Sequence, residues 1–158
     1  MATTGTVIQR RIGAALNSAQ VASQSGMTYA AWTASPHVFY GFVGMLGGRN
    51  MGRLPFIEYD ISTDSFHQDT VEGGTLTVKI TLRVHVSGRD PATANNLAEA
   101  LTLVALAAIR SESVDNYFAF GDDSMSQVKP GPWGWVRESS LTIQLTYARG
   151  NYEVVNFS

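Results

Sequence analysis

The sequence predicts an α+β fold, a two-layer sandwich in which two main helices pack on one face of a mostly antiparallel sheet. Three observations predict it. Residues 75–87 (TLTVKITLRVHVS) alternate apolar and polar side chains without a break, as a strand with one buried face requires. Residues 139–148 (SSLTIQLTYA) repeat that alternation. Residues 5–23 and 91–112 instead carry apolar side chains at the three- and four-residue steps of helices.

Taken in order, the first helix spans 5–23, with Val7, Ile8, Ile12, Ala15, Leu16 and Ala19 forming its stripe and Thr3 or Thr4 capping its start. Gln24-Ser25-Gly26 breaks it. Residues 24–54 hold two apolar islands, Ala30-Ala31-Trp32 and Val38–Val43, the second reading as a short strand. The segment 44–55 (GMLGGRNMGRLP) reads as an exposed loop rich in glycine. Phe56–Ser62 reads as a strand with Ile57, Tyr59 and Ile61 on one face and Phe56, Glu58 and Asp60 on the other. The polar segment 64–74 is a loop or hairpin extension ending in the turn signal Gly73-Gly74.

The strand 75–87 puts Leu76, Val78, Ile80, Leu82, Val84 and Val86 on one face and Thr75, Thr77, Lys79, Thr81, Arg83 and His85 on the other. At about 3.3 Å per residue it is roughly 40 Å long, so part of it is expected to project as a hairpin. Asp90 fits an N-cap and Pro91 the first helical position, where its missing N–H costs nothing. The helix from Pro91 onward is apolar nearly all round, so it is expected to be buried on more than one side. Residues 113–138 read as irregular, and Tyr152–Phe157 as a short edge strand.

All 158 residues are expected to form one domain, large enough to bury a core without disulfides or metal. Charged residues make up 15% of the chain, against a typical share of about 25%. Only Lys79 and Lys129 are lysines. Lysine is depleted and arginine enriched at interfaces, so the composition points to self-association. The net charge of −2 lacks the basic footprint of a dedicated nucleic-acid binder. The absence of cysteine excludes thiol catalysis and Cys-type zinc sites. The start, Met1–Gly5, lacks the pattern of a signal peptide, and the longest apolar stretch reads as far short of the ~20 residues that span a bilayer.

No catalytic pattern emerges. His37, His67 and His85 lie on different elements without metal-ligand spacing. The glycine-rich loop runs into a strand rather than a helix, unlike a P-loop. Glu58 and Asp60 share a strand face, as a paired acid/base site requires, and an outward strand face supplies acids equally well. No G-x-S-x-G elbow is present. Arg49, Met51 and Arg53 in the loop, and Trp133 and Trp135 beside the last strand, are interface-enriched types and are the expected partner contacts. Lys79, Arg83 and His85 form a basic patch on the polar strand face. A solvated strand face is the plain reading of that patch, and the wall of a pore the functional one.

The run of elements resembles the tail terminator proteins of long-tailed bacteriophages. The resemblance spans residues 5–148: an amphipathic helix, a loop to Leu54-Pro55-Phe56-Ile57, a polar segment, and the long strand 75–87. Asp90-Pro91 with its long helix, an aromatic loop and a strand closing on Leu145-Thr146-Tyr147 complete it. The resemblance implies a virion protein, in the tail or neck and in the host cytoplasm during assembly. It implies a homo-oligomeric ring, a hexamer, that caps the tail tube, ends tail polymerisation and offers a surface for head–tail joining. The major tail tube protein and the head–tail connector are the implied partners, with neither enzymatic activity, cofactor, metal nor membrane. Arg49, Met51, Arg53, Trp133 and Trp135 then contact the tube or the adjacent subunit. Lys79, Arg83 and His85 face a channel through which DNA passes without sequence-specific contact. The alternatives are another neck component (a head-completion or tail tube protein) or a small α+β enzyme or ligand-binding domain using Glu58, Asp60 or His85.

Overall fold

The computed structural model describes residues 4–35, 37–41, 54–67, 73–111, 117–125, 127–131 and 134–148. They form a mixed α+β fold. Four helices are described, α1 (Thr4–Leu16), α2 (Ala19–Gln24), α3 (Tyr29–Ala34) and α4 (Pro91–Ser111). Six strands are described, β1 (Val38–Tyr40), β2 (Phe56–His67), β3 (Gly73–Val86), β4 (Tyr117–Met125), β5 (Lys129–Gly131) and β6 (Gly134–Ala148). The sheet order is β1-β2-β3-β6-β4, with β5 also paired to β6. Every pairing is antiparallel except β1 with β2.

The predicted first helix is two helices. The break falls at Asn17-Ser18, where side chains compete for backbone groups. The Asn17 amide donates to the Gly13 carbonyl at 2.9 Å, and the Ser18 hydroxyl accepts from the Val21 N–H at 3.4 Å as an N-cap. The break changes the phase of the second helix, so Ala19, expected in the buried stripe, is exposed, while Val21 and Ala22 are buried. Helix α2 ends at Gln24, within the predicted break Gln24-Ser25-Gly26, and Gly26 has a φ of 78°, which glycine adopts without Cβ strain. Met27 N–H bonds to Ala22 O and Gly26 N–H to Ser23 O, which satisfies the last carbonyls. The island Ala30-Ala31-Trp32 is the unpredicted helix α3, capped by Thr28, whose hydroxyl accepts from Ala31 N–H at 3.1 Å.

Helix α4 starts at Pro91 as expected, with Asp90 Oδ1 accepting from Thr93 N–H at 2.9 Å. That bond holds the Asp90 carboxyl below its ordinary pKa. At 21 residues α4 is long and apolar enough to cross a membrane by length and composition, which corrects the expectation that no stretch approaches that size. In the fold its inner side rests on β3 and β6 and its flank on α1 and α2. Ala94, Ala98, Leu101, Ala105, Leu106 and Ile109 are buried there. Small side chains let the helix approach the sheet, and the larger ones each contribute about 1.5–3 kcal/mol by burial.

The alternation predicted for 75–87 holds where side chains are described. Val78, Ile80, Leu82, Val84 and Val86 face the helices and are buried with Ile57, Tyr59 and Leu141. Residues 64–67 and 73–74, expected in a loop, continue β2 and β3 instead. The largest difference lies in 113–138, expected to be irregular: it contains β4, β5 and the first residues of β6. Short aromatic and glycine-containing runs there lack a clean alternation, and pairing to β6 supplies the order that the local pattern does not announce. At the start of β6, a Cβ on Gly134 would meet Val86 O at 2.6 Å, so this close approach requires glycine. The predicted edge strand 152–157 lies outside the described residues.

Candidate functional site

Two surfaces hold the features that the sequence singles out: the sheet face turned away from the helices and the outer side of α4. Strand alternation places Phe56, Glu58 and Asp60 of β2 on the first of these. Their register partners on β3 are His85, Arg83 and Thr81. Along β3 this face changes character. Lys79 is exposed, Thr81 and Arg83 are half-buried, and His85 is buried.

His85 therefore does not lie on a solvated, basic patch with Lys79 and Arg83, and its expected channel-facing position is corrected. Its Nε2 lies 2.6 Å from Glu58 Oε1, with Glu58 fully buried. The Phe56 ring stacks on the imidazole at 4.2 Å and 11°, and Phe39 of β1 meets Phe56 edge-on at 5.8 Å. The reason lies in the pairing: β2 and β1 bring two aromatic rings to that end of the face. Arg83 reaches across to β6, where its Nε donates to Glu138 Oε2 at 3.1 Å. Lys79 remains exposed as expected.

Glu58 and Asp60 do not form a paired acid site. Glu58 turns to His85, and Asp60 Oδ1 accepts from the Ile61 N–H at 2.9 Å. Neither described groove is lined by Glu58, Asp60 or His85. Among the described residues no cluster of three His, Asp or Glu side chains is placed to hold a metal ion. His37 is buried and stacks on Trp32 at 4.9 Å, with Nδ1 at 2.6 Å from Ser35 O and 3.0 Å from Trp32 O. Two carbonyl acceptors require the proton on Nδ1. Trp32 Nε1 donates to Leu16 O at 3.1 Å, which ties α3 to the end of α1.

Of the expected partner contacts, Arg49, Met51, Arg53 and Trp133 lie outside the described residues, as do the side chains of Asp122, Asp123 and His67. Trp135 is half-buried, packs against the core and donates from Nε1 to Gly88 O at 3.3 Å. On α4, Leu103 is 50% exposed and Leu97 48%, the latter beside a groove that Pro55, Val86 and Leu101 also line. Between α1 and α4 runs a groove of about 500 Å³ lined by Ala14, Ala15, Ser18, Gln20, Val104 and Ala108, among others.

Sequence reasoning missed the polar residues on the helix-facing side of β6. Arg137 and Ser139 are buried there, and Arg137 Nη1 donates to Asn95 Oδ1 of α4 at 2.9 Å. The signal was present: Trp135, Arg137, Ser139 and Leu141 share one phase of the alternation, once the strand is known to begin at residue 134.

No protein-family model matches the sequence, and no curated protein matches it either.

Proposed function

We propose that this chain is a ring-forming structural subunit of a phage tail, a tail terminator that caps the tube and presents a surface for head–tail joining. The observation that carries the self-association is α4. Among the described residues α4, apolar nearly all round, is covered on its inner side and on the flank that meets α1 and α2, leaving its outer side open, and two of its leucines stay half exposed. A neighbouring subunit covers that outer side in a ring. The low lysine content favours the same reading. The assignment to a terminator rests on the order of elements, a leading helix, the β2–β3 antiparallel pair, the long helix after Asp90-Pro91 and a closing strand.

In this reading Trp135, with Arg49, Met51, Arg53 and Trp133, meets the tube or the adjacent subunit. Lys79 and the Arg83–Glu138 pair line the channel side of the sheet, where DNA passes transiently. His85 has no part in that lining. The homo-oligomer is a hexamer, and its partners are the major tail tube protein and the head–tail connector.

Size-exclusion chromatography with light scattering, followed by negative-stain imaging, tests the proposal. A discrete ring is expected, and Leu97→Asp with Leu103→Asp is expected to disperse it to monomers that keep the wild-type circular dichroism. Long tubes formed by the chain alone would reassign it to a tube protein. A monomer at high concentration, with the chain missing from the neck layer of intact particles, would overturn the proposal.

A further inference from the structure

The polar residues between α4 and β6 have no role in the ring reading and do not depend on it. Arg137 is only 8% exposed, yet its one partner among the described residues is a neutral amide, Asn95 Oδ1 on Nη1. Its Nε is buried and has no acceptor among the described residues. The Ser139 hydroxyl, two residues along β6 in the same phase, is also buried without a partner among them, and so is Thr102 Oγ1 on α4. A guanidinium taken out of water with no counter-charge is unfavourable, and each orphaned donor adds to the cost.

The pattern of satisfied and orphaned donors has a direction. With Nη1 held by Asn95, the bond left unmade is at the buried Nε, on the Nε–Nη2 edge whose pair of parallel N–H groups matches the two oxygens of a carboxylate or phosphate. Asn95 thus acts as a brace that fixes the plane of the fork. We propose that the Nε–Nη2 edge of Arg137, with the Ser139 hydroxyl two residues along the same side of β6, is a receptor for an oxyanion of the carboxylate class. The anion is either a free ion or the side-chain carboxylate of a second copy of this chain. Glu99, one turn after Asn95 on the same flank of α4, makes no ion pair with Arg137 within 4.0 Å and is the internal competitor.

Titration of the full chain with sodium acetate and, separately, inorganic phosphate tests the site, with chloride holding ionic strength constant. The Nε–H resonance of Arg137 is followed by nitrogen-edited NMR. A saturable shift is expected at millimolar anion. Ser139→Ala should weaken binding about tenfold, as loss of one hydrogen bond to a charged ligand does. Arg137→Lys, which keeps the charge but not the fork, should abolish the saturable response. The wild-type titration decides the matter even if a variant fails to fold.

The sources separate by concentration. If a neighbouring copy supplies the carboxylate, the resonance shifts with protein concentration alone, and acetate disperses the oligomer. If the ion is free, light scattering stays constant while the resonance shifts. A monomer that binds acetate would sink the ring and leave this site standing. An unchanged resonance in both anions would overturn the site. So would binding that emerges only in Glu99→Gln, because Glu99 then fills the fork in the native chain.

Discussion

On the helix-facing side of β3, Val78, Ile80, Leu82, Val84 and Val86 are all buried, whereas on the opposite side exposure declines along the strand from Lys79 to His85. The two sides share one backbone and one register, and they are stabilised by different physics. The helix side is one continuous apolar cluster, and its contribution scales with area removed from water. Among the described side chains the other side concentrates its burial at one end, in the Phe39–Phe56–His85–Glu58 group, where two buried polar side chains bond to each other. Farther along it relies on the partly exposed Arg83–Glu138 pair.

Substitution on each side tests the contrast. The largest effect belongs to the apolar side: Leu82→Ala should cost about 3 kcal/mol in urea unfolding. A loss well under 1 kcal/mol would mean that the helices do not seal this side.

At the buried end of the other side, Glu58→Ala leaves an imidazole in a site built for a bonded pair and should cost about 2–3 kcal/mol. Because the partners are coupled, the Glu58→Ala/His85→Ala double variant should fall well short of the sum of the single losses. Strict additivity would show that the contact contributes nothing of its own.

A pH effect of intermediate size comes from Tyr59 on the helix side. Its hydroxyl donates to Gln9 O at 3.0 Å, and burial, followed by the neighbouring Tyr40, pushes its pKa up to about 12 from 10.0. The neutral phenol is thus favoured in the folded chain. Its contribution is whole below pH 10 and declines as pH rises through the window from 10 to about 12, as the unfolded chain ionises first. Tyrosinate absorbance alongside unfolding curves should show this decline in wild type and a flatter profile in Tyr59→Phe.

The smallest effect is expected for Arg83 and Glu138, whose side chains are 24% and 52% exposed. A double-mutant cycle should return a coupling of about 0.5 kcal/mol that fades in salt. A coupling as strong as that of the Glu58–His85 pair would erase the distinction between the two ends of this face.

Much of the fold was legible in the chain itself. The alternation across 75–87 and 139–148 assigned two strands and their inner faces, and Asp90-Pro91 located the start of α4. Gln24-Ser25-Gly26 marked the end of α2. These signals are local: a period, a cap, a residue that tolerates positive φ. Less was legible where the outcome depended on a partner. Residues 117–125 and 129–131 became strands because β6 lay beside them. Asn17 and Ser18 divided a helix that hydrophobic spacing alone would have continued.

The candidate functional residues divide in the same way. Lys79 is exposed, as its place in the alternation implies. His85 occupies an equivalent phase and is buried, because β2 pairs Phe56 and Glu58 against that end of β3. Arg137 falls in an apolar phase that no one-dimensional rule assigns to an arginine, and Asn95, 42 positions away in the chain, receives it. The sequence by itself determined the class of fold, the principal strands and the helix that covers them, since periodicity and caps act between near neighbours. Tertiary structure alone decided which polar side chains leave water and which groups meet them there, because burying a charged or polar group depends on partners that the chain brings in from afar.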